Sequence, residues 1–203
     1  MGFTFFFRDL QTINMITDML LPSLEGRRQT DIWDAGCAMG PEPYTLAIVL
    51  REKCSHHAFR HIHIHATDLD PLNKFGEIVT RGIYPIDQIK RLPKDIFARY
   101  FTPHNGDSAK YKIRSDIHNS VSFNQHDLLT LQPIRKEFSL IVCKNVLLHF
   151  TQEQRIEVFK MYHDCLIDDG YMVNENTQRL PDEVSHLFKV VAANAQIFQK
   201  VRA

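Results

Sequence analysis

Apolar residues recur along this chain at two spacings, one typical of helices and the other typical of strands. Between residues 9 and 24 they lie three or four positions apart, on what would be one face of a helix. Between residues 60 and 67 isoleucine alternates with histidine at every second position, as in a strand. The pattern therefore predicts both helices and strands in one chain.

The remaining pattern extends this prediction to an α/β fold. Further helices are predicted at residues 43–57, 71–81 and 93–100, and one begins at the capping box Thr151–Gln154 and ends at Asp169-Gly170. Residues 82–85 break the second of these helices, and residues 101–119 predict a small antiparallel β excursion. Strands are predicted at residues 32–33, 60–67, 121–123, 140–143 and 171–173, with a terminal hairpin at 187–191 and 196–201. We therefore expect a doubly wound, mostly parallel sheet with an antiparallel terminal strand.

Composition narrows the class of protein. The chain has 203 residues, enough for one well-buried α/β domain. Lys plus Arg and Asp plus Glu each number 24, so no net charge attracts the protein to nucleic acid. No apolar run approaches the roughly 18 residues of a membrane span, and we expect no membrane insertion. The four cysteines lie far apart without a C-x-x-C pair, which indicates reduced thiols in a cytoplasmic protein.

A glycine-containing turn follows the first predicted strand. Its pattern is D-x-G-x-A-x-G, from Asp34 through Gly36 and Ala38 to Gly40, and an apolar helical segment follows. A strand, a glycine turn and a helix allow backbone amides and a helix N-terminus to approach a nucleotide closely. The spacing differs from the dinucleotide G-x-G-x-x-G, and no Lys-Ser or Lys-Thr follows as in a P-loop. An ordinary strand-to-helix turn is the alternative interpretation.

Two acids stand where a nucleotide site would need them. Asp68 lies at the end of the second predicted strand, where ligands bind in parallel sheets, and a carboxylate there can accept hydrogen bonds from a ribose diol. Asp70 better suits the role of a helix N-cap before Pro71. Glu42 lies at the start of the motif helix, where an acid also suits the helix dipole.

Four segments of the chain resemble the chemotaxis receptor methyltransferases in order and spacing. They are residues 4–8 (TFFFR), 34–45 (DAGCAMGPEPYT), 66–70 (ATDLD) and 144–150 (KNVLLHF). The resemblance covers nearly the whole chain and implies a Rossmann-like class I methyltransferase fold. It further implies transfer of a methyl group from S-adenosylmethionine to glutamate side chains of chemoreceptors, with S-adenosylhomocysteine as the product. The excursion at residues 101–119 is similar to the sub-domain that helps the family dock on its receptor.

The resemblance also assigns roles to residues near the motif turn. Asp34, Gly36 and Gly40 belong to the cofactor motif, and Glu42 would contact the cofactor's amino-acid moiety. Asp68 would bind the ribose.

The same comparison assigns residues from the two ends of the site. Thr4 and Arg8 would close over the cofactor, and Arg8 would pair with the cofactor's carboxylate or with the incoming glutamate. Asp127-Leu128 stands where the family has Asn-Leu against the adenine, and Lys144-Asn145 stands where it has Arg-Asn. His149 occupies the place of a tyrosine near the reaction site, so Arg8 and His149 are the expected catalytic residues.

Departures from the family pattern keep alternatives open. The family's G-H-S-E after the fifth strand is here Asn174–Thr177, so we expect that loop to be rebuilt. A degenerate homologue that only binds the cofactor or its product, and acts by docking, is the alternative to an enzyme. Methylation of another substrate is a third hypothesis. His61, His63 and His65 share one strand face but lack further ligands, and we expect no metal.

The expected organisation is a single methyltransferase domain over residues 1–203, with residues 101–119 as its small β sub-domain. The helical domain that usually precedes this domain in the family is not expected here. The expected partner is a chemoreceptor-like protein, without nucleic acid, and the expected state is a monomer.

Overall fold

Seven strands form the central sheet of the protein. A computed structural model describes residues 4–24, 27–177 and 179–202 of the chain. In chain order the strands are β1 (Thr30–Ala35), β2 (Ile62–Asp68), β6 (Val121–Gln125), β7 (Phe138–Cys143), β8 (Leu166–Asn174), β9 (Phe188–Ala192) and β10 (Ile197–Lys200). Across the sheet their order is β6-β2-β1-β7-β8-β10-β9. The winding direction reverses between β1 and β7, and in such sheets ligands bind outside the carboxyl ends of the strands at the reversal.

The pairing confirms the predicted fold class. β1 runs parallel to β2, with Ile32 opposite Ile64, and parallel to β7, with Trp33 opposite Ile141. β10 is antiparallel to both β8 and β9, so β10 runs against the direction of the parallel strands while β9 runs with it. The predicted α/β architecture with an antiparallel terminal strand is therefore correct.

Helices cover both faces of this sheet. They are α1 (Leu10–Leu24), α2 (Pro41–Lys53), α3 (His56–Phe59), α4 (Phe75–Arg81), α5 (Ile86–Ile89), α6 (Lys94–Tyr100), α7 (Ser115–Asn119) and α8 (Gln152–Cys165). Side chains alternate along β1, so Ile32 packs in a core with α1 and α2 while Trp33 packs in a second core with α8. None of these helices, nor any other in the described ranges, is long and apolar enough to cross a membrane.

A second, three-stranded antiparallel sheet forms the predicted excursion. It consists of β3 (Ile83–Pro85), β4 (Phe101–His104) and β5 (Asp107–Ile113), in the order β3-β5-β4. Residues 82–85 were expected only to break a helix, whereas Tyr84 pairs with Tyr111 in this sheet. The small sheet therefore includes a strand that lies well before residue 101.

Helix boundaries differ from the prediction in three places. α2 ends at Lys53, and α3 begins separately after the Ser55 cap, instead of one helix to residue 57. α4 begins at Phe75 instead of residue 71, because Asp70 binds the amides of residues 74–76 in the intervening turn. The predicted capping box at Thr151 is present, but α8 ends at Cys165. Asp169-Gly170 lies within β8, where the pairing with β7 is irregular.

Candidate active site

The turn after β1 is shaped by glycines that other residues could not replace. Gly36 has φ +112°, and a β-carbon there would lie 2.1 Å from Cγ2 of Val146. Gly40 has φ +93°, directly before α2. The amides of Gly36 and Cys37 both donate to the carbonyl of Thr67, at 2.8 and 2.9 Å. These contacts hold the turn against the carboxyl end of β2.

A cavity of about 420 Å³ opens at the carboxyl ends of β1, β2, β6 and β7. Every residue predicted for the site lines this cavity except Asp34 and Gly40. Its walls consist of Thr4, Arg8, Gly36, Cys37, Ala38, Glu42, Thr67, Asp68, Leu69, Phe75, His126, Asp127, Leu128, Leu129, Lys144, Asn145, Val146, His149 and Phe150. Segments that are distant in the sequence thus meet at the place where the winding direction reverses.

Asp68 is the last residue of β2, and its carboxylate is anchored at the cavity wall. Its Oδ2 accepts a hydrogen bond from the amide of Ala38 at 2.9 Å, so the motif turn itself orients the side chain. Each carboxylate oxygen has two lone pairs, and Asp68 therefore retains acceptor capacity for hydroxyl groups of a ligand. Asp70, two residues later, faces the backbone of residues 74–76 instead.

Two further acids, Asp34 and Glu42, lie behind the motif turn. Asp34 is fully buried, and neither carboxylate oxygen has a hydrogen-bond partner among the described residues. Its pKa is raised well above the ordinary value, first by burial and then by the negative charges of Glu42 and Asp68. Burial also raises the pKa of Glu42 to about 7, against the opposing charges of Lys144 and Arg8. A cationic ligand would relieve the cost of ionising these acids.

The cationic side chains of Lys144 and Arg8 line the cavity from segments that are far apart in the sequence. Lys144 follows β7 and is almost fully buried, and its ammonium pairs with the carboxylate of Asp9. Arg8 lines the cavity from the N-terminal segment. Both positive charges act on Glu42 from within the same site. Lys144 therefore connects the N-terminal segment to the end of β7, a link that the motif comparison had not predicted.

The wall after β6 combines a polar turn with apolar side chains. Asp127 caps a short 3₁₀ turn, Leu128–Thr130, by accepting a hydrogen bond from the amide of Leu129 at 2.9 Å. Leu128 and Leu129 line the cavity beside Leu69, which lies after β2. Apolar side chains beside a hydrogen-bonding carboxylate suit a flat, partly polar ring such as a nucleobase.

His149 lies at the exposed end of the segment that follows β7. This segment begins with Asn145 in the left-handed region, at φ +61°, and continues through a 3₁₀ turn, Leu147–His149. The amide of His149 donates to the carbonyl of Val146 at 3.0 Å, and the imidazole remains at the cavity wall. The segment therefore presents a backbone turn and an imidazole to the same cavity.

Several functional neighbours escaped the sequence prediction. Phe75 was placed inside a helix that begins later than expected, and Phe150 and Leu129 directly follow predicted residues. Asp9 and Glu175 contact Lys144 and Asn145 but belong to no motif. For Asp9, adjacency to Arg8 was the available signal. For Glu175, the signal was the altered pattern at Asn174–Thr177.

The three histidines of β2 do not form a ligand set. Nε2 of His65 donates a hydrogen bond to Oδ1 of Asp31 at 2.8 Å, and the same oxygen accepts from Arg135. Across residues 4–24, 27–177 and 179–202, no group of three or more His, Cys, Asp or Glu side chains has an arrangement that could hold a metal ion.

The site and the fold together define a class of protein. A 420 Å³ cavity with an anchored acid at the end of β2, acids of raised pKa behind it and an apolar wall suits S-adenosylmethionine, which carries a ribose, positive charges and an adenine. A solved TehB-like SAM-dependent methyltransferase from Corynebacterium glutamicum shares the fold, with a TM-score of 0.51 and 15% identity over 93% of this chain and 85% of that chain. The chain has the fold of a class I S-adenosylmethionine-dependent methyltransferase.

The family follows from the sequence comparison. Residues 2–197 match the family described as "CheR methyltransferase, SAM binding domain", and the chain belongs to it. A chemotaxis protein methyltransferase from Borreliella burgdorferi is 31% identical over 84% of this chain and 62% of the relative. One from Listeria innocua is 32% identical over 82% of this chain and 61% of the relative. The chain thus spans about three fifths of the length of these relatives.

Proposed function

We propose that this domain transfers a methyl group from S-adenosylmethionine to glutamate side chains of a chemoreceptor-like protein, forming methyl esters. The observation that carries the proposal is the meeting of two sets of residues in one cavity. Acids that suit the cofactor, such as Asp68 and Glu42, line the same cavity as Arg8 and His149, which suit an acidic acceptor. The similarity of this chain to the chemotaxis protein methyltransferases of Borreliella burgdorferi and Listeria innocua supports the proposal.

The residues divide into cofactor and acceptor groups under this proposal. Asp68 accepts hydrogen bonds from the ribose, Glu42 faces the ammonium of the cofactor, and the wall at Asp127 and Leu128 faces the adenine. Lys144, Asn145 and the N-terminal residue Thr4 enclose the amino-acid end. Asp34 is too buried for direct contact in its present position, and it interacts electrostatically with Glu42.

The reaction asks little acid–base chemistry of the protein. S-adenosylmethionine supplies a methyl group that its sulfonium already activates. A glutamate carboxylate, with an ordinary pKa near 4.3, is ionised at pH 7 and needs no general base. The protein must align the acceptor and exclude water, and alignment alone can contribute roughly 7–11 kcal/mol. In the proposal, Arg8 and His149 hold the acceptor carboxylate without protonating it.

The proposal also defines the setting of the reaction. The acceptor glutamates belong to the cytoplasmic part of a receptor, so the domain works in the cytoplasm. We propose that it acts as a single methyltransferase unit and as a monomer, and that the three-stranded sheet serves as the sub-domain that contacts the receptor.

Transfer of labelled methyl groups to purified receptor cytoplasmic fragments tests this function. The expected product is a base-labile label that is released as methanol, because esters hydrolyse in base whereas methylated amines do not. Fragments in which the acceptor glutamates are replaced by glutamine provide the matched control and should remain unlabelled.

The main rival is a domain that binds the cofactor without using it. Normal S-adenosylhomocysteine binding together with no labelling of any fragment would establish that rival. A base-stable label would instead indicate methylation of a different acceptor group.

A further inference from the structure

One buried carboxylate at the site has no role in the function proposed above. Glu175 directly follows β8 and is 2% exposed. It belongs to the altered segment after the fifth parallel strand and lies in none of the motifs that located the cavity. Buried acids are rare unless they are paired or hydrogen-bonded, so its contacts indicate its purpose.

Those contacts lead to the segment that follows β7. Oε2 of Glu175 accepts a hydrogen bond from the amide of Asn145 at 3.0 Å. This carboxylate therefore holds the start of the segment that runs from Asn145 through the 3₁₀ turn Leu147–His149. Hydrogen bonds to an ionised acceptor are shorter and stronger than those between neutral groups.

The segment needs such support. Asn145 has φ +61°, a left-handed conformation that residues other than glycine adopt at a cost. Val146 lies so close to the motif turn that a β-carbon at Gly36 would meet it at 2.1 Å. Asn145, Val146 and His149 all line the cavity. A shift of this segment would therefore change both the wall behind the cofactor and the position of His149.

The carboxylate is retained although its burial is unfavourable. Burial raises the pKa of Glu175, although hydrogen bonds from the amides of Glu175 itself and of Asn145, and the charge of Lys144, oppose that rise. Its second oxygen, Oε1, is buried and has no hydrogen-bond partner within the described ranges. A group that is costly to bury, and that binds only backbone beside a cavity, points to a role in shaping that cavity.

We propose that Glu175 is a positioning residue of the methyl-transfer site, which holds the Asn145–His149 segment in the orientation that presents Asn145 to the cofactor and His149 to the acceptor. This inference rests on the function proposed above. Glu175 itself touches neither the cofactor nor the acceptor. It acts by binding the backbone amide of Asn145, at the start of that segment.

Glu175→Ala and Glu175→Gln separate this role from simple stabilisation. Glu175→Ala removes the acceptor of the Asn145 amide, and we expect kcat to fall about 100-fold, the loss that a displacement of about 1 Å can cause. Glu175→Gln keeps one acceptor oxygen, and we expect it to recover most of that loss. The Michaelis constant for the receptor fragment should change less than kcat. Hydrogen exchange at the amide of Asn145 should accelerate in Glu175→Ala without any cofactor present.

Asp31→Ala is the matched control. Asp31 is also a buried, hydrogen-bonded carboxylate, but it lies near the start of β1, at the opposite edge of the sheet from the cavity. Its removal should lower the melting temperature and leave kcat near that of the wild type below the unfolding transition.

The outcomes distinguish the two proposals. Wild-type kcat in Glu175→Ala, or equal loss in Glu175→Ala and Asp31→Ala, would overturn the positioning role. Unchanged exchange at the amide of Asn145 would overturn it as well. A wild-type protein that binds cofactor but transfers no methyl group would overturn the proposed function, and with it the role of Glu175 in transfer. Hydrogen exchange would still show whether Glu175 holds the segment in place.

Discussion

Asp68 and Asp70 show how closely spaced acids acquire separate roles. The carboxylate of Asp70 accepts hydrogen bonds from the amides of Lys74, Phe75 and Gly76. Burial favours a higher pKa for Asp70, but these three amides outweigh it and lower the pKa. Asp68 receives only the Ala38 amide at short distance and faces the cavity. Asp70 therefore satisfies backbone amides at the start of α4, whereas Asp68 remains available to a ligand.

Cofactor binding should depend on pH through Glu42. Its pKa of about 7 reflects burial, opposed by Lys144 and Arg8 and reinforced by Asp9. A positively charged ammonium favours the ionised form, so S-adenosylhomocysteine should bind more weakly as the pH falls below 7. The steepest expected change is about tenfold per pH unit. Calorimetry between pH 6 and pH 8 measures it.

Glu42→Gln is the control for that dependence. The amide cannot ionise, so we expect weaker binding at pH 8 and a flatter profile. Asp34 also has a raised pKa, and it remains in this variant. A variant profile as steep as that of the wild type would assign the pH dependence to Asp34 or another group.

His149 tests the acceptor side of the site. If its imidazole orients the acceptor carboxylate, His149→Tyr keeps a hydrogen-bond donor and should retain or raise the transfer rate. His149→Phe has similar bulk without a donor, and we expect a rate about tenfold lower, since hydrogen bonds to charged groups contribute about 1.5–3 kcal/mol. Affinity for S-adenosylhomocysteine should barely change in either variant. Equal rates in all three proteins would reduce His149 to a wall residue.

At the scale of elements, the N-terminal segment is fastened to the domain at three points. Phe6 is buried between Tyr84 and Phe101, with edge-to-face ring contacts at 4.9 and 5.5 Å. The amide of Phe7 donates to Oγ1 of Thr45 at 3.0 Å. Asp9 then pairs with Lys144. Held in this way, the segment brings Thr4 and Arg8 to the cavity. Its position therefore depends on both sheets.

Phe6→Ala should detach this segment, lower the stability of the folded protein and lower the affinity of the site for its ligand. We expect a loss of about 3 kcal/mol in the free energy of unfolding, because a buried aromatic side chain leaves a cavity. S-adenosylhomocysteine should bind less tightly, since Thr4 and Arg8 lose their anchor. Phe5→Ala is the matched control, because Phe5 is 44% exposed, and its stability should change by about 0.5 kcal/mol or less. Chemical denaturation and calorimetry measure both effects.

Local sequence signals located most elements but not those that depend on distant partners. The alternation of residues 60–67 and the capping box at Thr151 are local, and both elements are present. Ile83–Pro85 forms a strand only because β5 lies beside it, some 25 residues later in the chain. Likewise, Asp169-Gly170 resembles a helix end, but β7 draws Leu166–Asn174 into the sheet. Long-range pairing overrides local propensity at these places.

At the scale of the whole molecule, ligand binding and stability are linked. A ligand that binds only the folded state stabilises it by about 2.7 kcal/mol at a concentration of 100 Kd. For a chain of this size, 1 kcal/mol corresponds to roughly 2–4 °C, so S-adenosylhomocysteine should raise Tm by about 5–10 °C. Differential scanning fluorimetry measures the shift.

Asp68→Ala supplies the comparison at equal ligand concentration. If it weakens binding tenfold through the lost acceptor, the stabilisation should fall to about half. An unchanged shift would remove Asp68 from the ligand site, and no shift in the wild type would contradict cofactor binding altogether.

Motifs identified the cavity wall because its segments follow strand ends, where the topology brings them together. Gly36, Asp68, Asp127 and Lys144 each lie at or just after the end of a different parallel strand, and a doubly wound sheet places these ends on one side. Glu175 could not be assigned in this way. Its role depends on how the end of β8 packs against the turn after β7, which no local pattern specifies.

The opposite placement of Thr4 and Lys200 guides how this domain should be labelled. Thr4 forms part of the cavity wall, so an affinity tag or fluorophore joined just ahead of it would sit at the mouth of the site. Lys200, by contrast, donates to the carbonyl of Leu166 at the start of β8, on the side of the sheet opposite the cavity. Binding assays and surface immobilisation should therefore use a C-terminal attachment, which leaves the entrance open to both cofactor and receptor.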